Sequence, residues 1–247
     1  MKVLKSFGPA AHVAVIGASG GIGGAFCGAL ANSAGVATVH ALSRKPQANS
    51  AGKLITSSID IENEASIEAA AARVTAEHPL DLVIVATGIL HRDTLQPEKS
   101  MGQIDGDHLL DVYRVNTVGP TLVAKHFLPR LARDRKSVFA ALSARVGSIG
   151  DNRLGGWISY RASKAALNMV LKTLAVEHAR RSPDSIIAAL HPGTVDTTLS
   201  RPFSSRVPSH KLFSPDDAAS KLLQVIDGLD AEDSGGFFAW DGSSIPW

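Results

Sequence analysis

The segment His12-Val-Ala-Val-Ile16-Gly17-Ala-Ser-Gly-Gly21-Ile-Gly23 decides the fold of this 247-residue chain. The run from 12 to 16 is mostly apolar and predicts a buried strand, and a glycine-rich turn leads from it into a segment of helical period. Such glycines permit a tight turn and bring backbone N–H groups close to an anion at the helix N-terminus. The arrangement favours binding of a dinucleotide pyrophosphate, although a crowded strand-to-helix connection would also need a glycine turn.

Short apolar runs alternate with longer segments of helical period along the whole chain, which predicts a parallel sheet with crossover helices on both faces. We expect strands near residues 12–16, 36–42, 53–57, 81–86, 136–142, 185–190 and 236–240. Helices are expected near residues 21–33, 62–77, 105–133, 157–180 and 215–228. Because no Pro/Gly/Ser-rich linker divides it, the chain 1–247 is predicted to be one α/β domain, a doubly wound (Rossmann) fold on a seven-stranded, mainly parallel sheet.

Composition excludes several classes of function. The 25 Lys and Arg residues nearly balance the 23 Asp and Glu residues, so we expect no nucleic-acid partner and no attraction to an anionic membrane. A single cysteine excludes an intrachain disulfide, and the nine histidines form no metal-binding motif. Glycines interrupt the uncharged segment from Ser6 to Ser43, which favours a strand and helix over a signal or membrane span. A cytoplasmic location is expected.

The residues that follow the second predicted strand bear on cofactor choice. The strand is followed by Ser43 and Arg44, and neither is an Asp or Glu. An acidic side chain at this position would bind the ribose hydroxyls of NAD and repel a 2′-phosphate. The forked donors of an arginine suit that phosphate, so NADP(H) is the preferred cofactor. NAD(H) stays possible, because Arg44 could be an ordinary exposed loop residue and Gly20 supplies no second cation.

Other predicted strands also end in residues suited to a dinucleotide. Asp60 and Ile61 could contact an adenine ring, although Asp60 could equally cap the next helix. Thr87-Gly88 follows the fourth strand, and Pro192-Gly193 follows the sixth. Open α/β sheets bind ligands beyond the carboxyl ends of their strands, so these coincident signals predict a cofactor site at that edge.

Tyr160 and Lys164 are candidates for the proton chemistry that accompanies hydride transfer. Residues four apart share one face of a helix, and a nearby ammonium stabilises a phenolate. Such a pair alone is usually an inconsequential surface contact. Here the tyrosine is one of two in the chain, and Ser143, which could donate a hydrogen bond to a substrate oxygen, ends the preceding strand.

Asn116 stands four residues before Pro120, which has no N–H group. In a helix the carbonyl of Asn116 therefore loses its usual partner, and the helix should bend. The freed carbonyl could hold a water that extends a proton path from Lys164 to solvent, or the proline could merely kink a long helix.

Together these residues resemble the short-chain dehydrogenases/reductases over essentially the whole chain. The matching positions are Gly17-x-x-x-Gly21-x-Gly23, Asp60, Asn116, Ser143, Tyr160-x-x-x-Lys164 and Pro192-Gly193. Segments 147–152, 155–157, 160–169 and 240–242 are similar to the branch of C-factor signalling proteins and sniffer-type carbonyl reductases. Ile16 and Thr87 depart from the common family pattern in two loops. The longer loop between Ser143 and Tyr160, with Arg145, Asn152, Arg153 and Trp157, is expected to shape the substrate pocket.

The resemblance implies a catalytic set of Ser143, Tyr160, Lys164 and Asn116. The lysine would also bind the nicotinamide ribose, and the backbone near Val195 would meet the carboxamide. The cofactor contacts expected from motifs and resemblance are Gly17, Ser19, Gly21, Ile22, Gly23, Ser43, Arg44, Asp60, Ile61, Thr87, Gly88, Tyr160, Lys164, Pro192, Gly193, Val195 and Thr197.

Three functions are compatible with the sequence to different degrees. The first is reduction of a small-molecule ketone or aldehyde, or oxidation of an alcohol, by a homodimer or homotetramer. The second is a catalytically weak NADP(H)-binding regulatory protein, and the third is a sugar epimerase, for which the 83 residues after Lys164 are too few. The segment 194–214, with Leu199, Phe203, Val207, Leu212 and Phe213, is a candidate substrate lid, although these apolar residues could instead pack onto the core or onto another subunit. His91 could reach the pocket but more often such a residue is an exposed loop histidine.

Overall fold

The computed structural model describes residues 3–46, 52–92, 96–203, 208 and 211–247. The strands are β1 (Ala11–Ile16), β2 (Val36–Ser43), β3 (Leu54–Ser58), β4 (Leu82–Val85), β5 (Ser137–Leu142), β6 (Ser185–His191), β7 (Thr194–Val195), β8 (Leu212–Phe213) and β9 (Gly236–Ala239). The α-helices are α1 (Gly21–Ala31), α2 (Glu64–Val74), α3 (Gly106–Tyr113), α4 (Gly119–Phe127), α5 (Ile158–His178) and α6 (Pro215–Gly228).

Within the described residues the main sheet has seven strands in the order β3-β2-β1-β4-β5-β6-β9. Each neighbouring pair runs parallel, and the chain winds outward in both directions from β1 and β4. All carboxyl ends therefore lie along one edge. The predicted fold class is confirmed.

Buried apolar side chains divide into two clusters, one on each face of the sheet. Within β4, Val83 and Val85 belong to the cluster that includes α2, α4 and α5, whereas Leu82 and Ile84 belong to the cluster that includes α1 and α6. The alternation follows from the two-residue period of a strand, and the full burial of β4 explains its continuous apolar run.

The long helix expected over 105–133 is wrong as a single element. A π-helical turn (Arg114–Val118) separates α3 from α4, and Gly119 N–H donates to the carbonyl of Arg114. Pro120 is the second residue of α4 and has no N–H to donate back to the π turn. The expected irregularity beside Asn116 thus takes the form of a π turn, and a 3₁₀ turn (Leu128–Arg130) ends this helical region.

The start of α2 also differs from the sequence expectation. Its N-cap is Asn63, whose side chain accepts a hydrogen bond from Ser66 N–H at 3.3 Å. Asp60 instead accepts from Glu62 N–H at 3.0 Å, which forms a turn ahead of the helix. The alternative role of Asp60 as helix cap is therefore excluded.

The pair β7 and β8 was not expected from the sequence. Thr194 pairs with Leu212 and Val195 with Phe213 in a short parallel ladder. Two residues per strand carry too little periodic signal to be found in advance. The ladder joins the two ends of the segment 194–214. No helix among the described residues has the length and apolar character needed to span a membrane.

Candidate active site

The turn between β1 and α1 has no room for side chains. Gly17 has φ +93°, and a Cβ there would lie 3.0 Å from the Ala86 carbonyl. A Cβ on Gly23 would lie 2.1 Å from the carbonyl oxygen of Gly17, so the turn could not close over a larger residue. Gly20, the N-cap of α1, has no side chain to satisfy the first N–H groups of the helix. These donors are left to a ligand, as an anion site requires.

A cavity of about 240 Å³ lies beside this turn, over the carboxyl ends of the first four strands. It is lined by these predicted cofactor residues: Gly17, Ser19, Ser43, Arg44, Ile61, Thr87 and Gly88. An adjoining cavity of about 290 Å³ is lined by a second group of them, namely Gly21, Ile22, Tyr160, Lys164, Pro192 and Thr197. The two cavities share Ser19, Thr87 and Gly88 and form one elongated cleft.

Four predicted cofactor residues lie elsewhere. Gly193 and Val195 line a third cavity, which is described below. Gly23 is buried beneath the glycine turn, where it permits close packing. Asp60 lies outside the lining of these cavities, and its neighbours Ile59, Ile61 and Glu62 face the first one.

The first cavity carries a cation that sequence reasoning missed. The exposed side chain of Arg92 lines it together with that of Arg44, and Glu62 adds one carboxylate. Arg92 follows the fourth strand by several residues, and the length of its side chain, not its position in a motif, brings it to the cleft. Thr87 Oγ1 is buried here without a hydrogen-bond partner among the described residues. These groups fit a phosphorylated nucleotide, which would bring both negative charge and hydrogen-bonding atoms.

Ser143, Tyr160 and Lys164 come together at the junction of the cleft and the third cavity. Ser143 follows β5 directly, and α5 presents Tyr160 and Lys164 from its first two turns. Lys164 Nζ donates a hydrogen bond to the Leu142 carbonyl at 2.8 Å and lies 5.9 Å from the centre of the Tyr160 ring. Within the described residues the Tyr160 hydroxyl makes no hydrogen bond, which leaves it free for a substrate oxygen.

Burial changes the acidity of both groups. Desolvation raises the pKa of Tyr160 to about 12 and lowers the pKa of Lys164 to about 8. At pH 7 the phenol therefore keeps its proton, and the lysine is still mostly charged. This pair of protonation states suits proton donation to a substrate oxygen.

Asn168 is another polar residue of the site that sequence reasoning missed. Ser143 Oγ donates to Asn168 Oδ1 at 2.6 Å, and both side chains are buried. Its position four residues after Lys164 on the same helix face was the available signal. Asn168 fixes the serine hydroxyl beside Tyr160.

Asn116 is fully buried and fixes the loop that follows β4. Its Nδ2 donates to the Ile89 carbonyl and its Oδ1 accepts from Ile89 N–H, both at 2.8 Å. Nδ2 also lies 3.2 Å from Ser163 Oγ, which donates to the Tyr160 carbonyl. The side chain therefore links the cleft loop to α5. The water held by its main-chain carbonyl stays a prediction.

The third cavity, about 250 Å³, opens beside Ser143 and Tyr160 and has a mainly apolar wall. Trp157 meets Tyr160 edge-on at 6.3 Å and Phe203 at 5.1 Å between ring centres. Arg145 and Trp157 of the long loop line this cavity, whereas Asn152 and Arg153 are exposed outside it. The expectation that all four shape the pocket is thus met by two of them.

Residues 194–203 form the outer wall of the apolar cavity. Leu199 and Phe203 line it, and His91 packs edge-on against Phe203 at 5.7 Å while its Nε2 lies 3.2 Å from the Thr198 carbonyl. His91 thus contacts the wall from outside the cavity. Val207 of the predicted lid lies outside the described residues.

His191, at the end of β6, lines the same cavity and was not predicted. Burial lowers its pKa to about 4, so the imidazole is neutral at neutral pH. Its Nδ1 is buried without a hydrogen-bond partner in the described part of the chain. The position directly before Pro192-Gly193 was the one sequence signal for it.

A sequence profile described as short chain dehydrogenase matches residues 11–207, which is most of the chain. The chain belongs to this family, and the prediction made from its motifs is confirmed. A relative from Rhodococcus sp. (strain AD45), a 1-hydroxy-2-glutathionyl-2-methyl-3-butene dehydrogenase, is 34% identical over 198 residues, which cover 80% of this chain and 82% of the relative. C-signal of Myxococcus xanthus is 34% identical over an alignment that covers 60% of this chain and 84% of the C-signal chain.

Solved structures show the same architecture. An NADPH-bound carbonyl reductase from chicken fatty liver has a TM-score of 0.85 and 27% identity, covering 100% of this chain and 99% of that one. The carbonyl reductase Sniffer of D. melanogaster has a TM-score of 0.84 with 23% identity over 98% of this chain and 100% of its own, and this likeness concerns the fold.

Proposed function

We propose that this protein is an NADP(H)-dependent oxidoreductase that transfers hydride between nicotinamide and a ketone, an aldehyde or a secondary alcohol, with Tyr160 as general acid/base. One observation carries the proposal: Ser143 and Tyr160 line both the cleft at the glycine turn and the apolar cavity. A carbonyl held in the apolar cavity would therefore meet the hydroxyl groups at the point where the two spaces join.

The nicotinamide would supply or accept the hydride, and the protein would handle the proton. Tyr160 gives its hydroxyl proton to the substrate oxygen in reduction, and the Lys164 ammonium stabilises the resulting phenolate. Ser143 Oγ points its hydrogen at Asn168, so it must rotate to donate to the substrate oxygen. In oxidation the same groups act in reverse.

Preference for NADP(H) is supported by charge at the end of the cleft. β2 ends at Ser43 and is followed by Arg44, so neither residue would repel a 2′-phosphate. Arg92 adds a second guanidinium to the same cavity. Glu62 lines the same cavity, where it is outnumbered by the two arginines. The chicken reductase similar to this chain was solved with NADPH bound.

The test is a substrate screen with NADPH and NADH side by side against ketones, aldehydes and quinones. We expect consumption of NADPH with carbonyls small and apolar enough for a cavity of about 250 Å³, and slower consumption of NADH. Equal rates with both cofactors would contradict the NADP(H) preference while leaving hydride transfer intact.

A second candidate function is that of a catalytically weak NADP(H)-binding regulatory protein. The observation in its favour is the similarity to C-signal. Tight NADPH binding in the same screen, with no consumption by any carbonyl, would support it over the oxidoreductase.

We also propose assembly as a homodimer or homotetramer in a reducing compartment such as the cytoplasm. Support for assembly comes from exposed apolar side chains on the outer helices, including Leu110 (59% exposed), Met169 (66%) and Val176 (55%). Sedimentation of the purified chain tests it, and a monomer at micromolar concentration would contradict it.

A further inference from the structure

The helix that carries Tyr160 begins in an unusual way. Trp157, the N-cap of α5, has a left-handed backbone (φ 51°), and its side chain makes no capping hydrogen bond within the described residues. The cap is supplied instead by Glu98, 61 residues before Ser159 in sequence. Ser159 N–H donates to Glu98 Oε2 at 3.2 Å, and the Ser159 hydroxyl donates to Oε1.

The main chain strengthens the same contact. Trp157 N–H donates to the Glu98 carbonyl, so both the backbone and the carboxylate of Glu98 hold the first turn of the helix. Glu98 is 2% exposed and Ser159 3% exposed. Water therefore cannot replace these bonds without a local opening of the structure.

The carboxylate is chemically suited to this position. The N-terminus of a helix has unpaired N–H groups and a partial positive charge, and both favour an anion. Burial alone would raise the pKa of Glu98, but hydrogen bonds from Ser159 and the backbone, together with His108, outweigh it and hold the pKa below its usual range. Glu98 is thus a charged cap at neutral pH.

The residues that Glu98 holds surround Tyr160. Ser159 is its neighbour in the chain, and the Trp157 ring packs edge-on against the phenol ring. The loop after β5 contacts the same part of the helix. Arg161 Nε donates to the Gly155 and Gly156 carbonyls, and a Cβ on Gly147 would lie 2.8 Å from Lys164 Cβ. Glu98 and this loop therefore hold the first turns of α5 together.

We infer that Glu98 is a positioning residue for the proposed reaction: by capping α5 through Ser159 and Trp157, it sets the place of the Tyr160 hydroxyl at the mouth of the apolar cavity. This inference rests on the proposed function. Glu98 acts through Ser159 and Trp157 and has no part in the proton transfer itself.

The test compares Glu98→Ala, Glu98→Gln and Ser159→Ala with Glu177→Ala, which removes an exposed carboxylate from the other end of the same helix. Amide hydrogen exchange of residues 158–161 and 170–178, the dissociation constant for NADPH, and kcat and KM are measured for each. In Glu98→Ala we expect exchange of 158–161 to rise about tenfold, because a helix cap is lost, while 170–178 is unchanged.

In the same variant kcat should fall at least about tenfold, because small displacements of a reacting group are costly, while KM and the NADPH dissociation constant change less than about threefold. Glu98→Gln keeps an acceptor for Ser159 and should recover most of kcat. Ser159→Ala, which keeps its N–H bond, should lie between Glu98→Ala and wild type. Glu177→Ala should match wild type.

The inference is overturned if Glu98→Ala shows wild-type exchange at 158–161, or if exchange rises there and kcat does not fall. If Glu98→Ala fails to fold, Glu98→Gln and Ser159→Ala carry the same comparison. A wild-type protein that reduces no carbonyl would contradict the proposed function alone, and the exchange of 158–161 would then decide whether Glu98 holds Tyr160.

Discussion

Tyr160 and Lys164 are ordinary helix neighbours until their surroundings are considered. Burial shifts their pKa values in opposite directions, to about 12 for the phenol and about 8 for the ammonium. In each case the neutral form is favoured, because desolvation penalises charge. The lysine consequently titrates in a range that steady-state kinetics can reach.

This titration predicts a pH dependence for carbonyl reduction. The charged form of Lys164 stabilises the phenolate, so kcat/KM should be level below the pKa of about 8 and should fall as pH rises through it. In Lys164→Met the fall near this pH should disappear, with low activity throughout. A profile that stays level to pH 9 in the wild-type protein would contradict the role given to Lys164.

Arg44 and Arg92 predict a change of cofactor preference. Each guanidinium can form charge-assisted bonds to a 2′-phosphate, so Arg44→Met and Arg92→Met should each weaken NADPH binding roughly tenfold or more, with little effect on NADH. Fluorescence titration measures both constants. Arg180→Met, which removes an exposed arginine after α5, is the control. Equal losses for both nucleotides would place the two arginines away from the 2′-phosphate.

At the scale of elements, the glycine turn and α1 act as one unit. The carbonyl of Gly17 lies where a Cβ on Gly23 would be, whereas a Cβ on Gly28, later in the same helix, meets nothing within 4 Å. Packing therefore requires a glycine at position 23 but not at position 28.

This contrast gives a matched pair of variants. Gly23→Ala must displace the turn, so it should lower the melting temperature and weaken NADPH binding at least about tenfold. Gly28→Ala should leave binding unchanged and stabilise the protein by up to about 1 kcal/mol, because alanine is the better helix former. Thermal unfolding and NADPH titration check both. Wild-type binding by Gly23→Ala would show that the turn does not hold the cofactor.

Elements and strand ends could be predicted from the sequence because their signals are local. The short apolar runs predicted the seven strands of the main sheet, and the residues that follow these strands were expected to lie along one edge of it. Glu98 and Arg92 could not be found in this way, since each matters through residues distant in sequence. For His191 the one local signal was its position directly before Pro192-Gly193. The division of α3 from α4 was signalled by Pro120, but its π-helical form depends on packing that the sequence does not display.

At the scale of the whole molecule, residues 194–203 form the outer wall of the apolar cavity, and they lie outside the seven-stranded sheet. The β7–β8 ladder joins the ends of 194–214, and Phe203 closes the outer wall against Trp157 and His91. We propose that this wall acts as a lid, because it covers the apolar cavity and lies outside the central sheet.

The proposed lid predicts a change in hydrogen exchange. Amides of residues 196–203 should exchange more slowly when NADPH and a carbonyl or an unreactive analogue are both bound, because a filled cavity favours the closed wall. Residues 215–228 of α6 serve as the internal control. Unchanged exchange of 196–203 in the ternary complex would count against a lid.

The central claim is that Tyr160 supplies the proton that accompanies hydride transfer. The most direct measurement is turnover of Tyr160→Phe with the best carbonyl of the screen, beside its dissociation constant for NADPH. We expect binding of NADPH within about threefold of wild type and a loss of kcat of at least about a thousandfold, since general acid catalysis and the phenolate are both removed. Turnover retained within tenfold of wild type would contradict the claim.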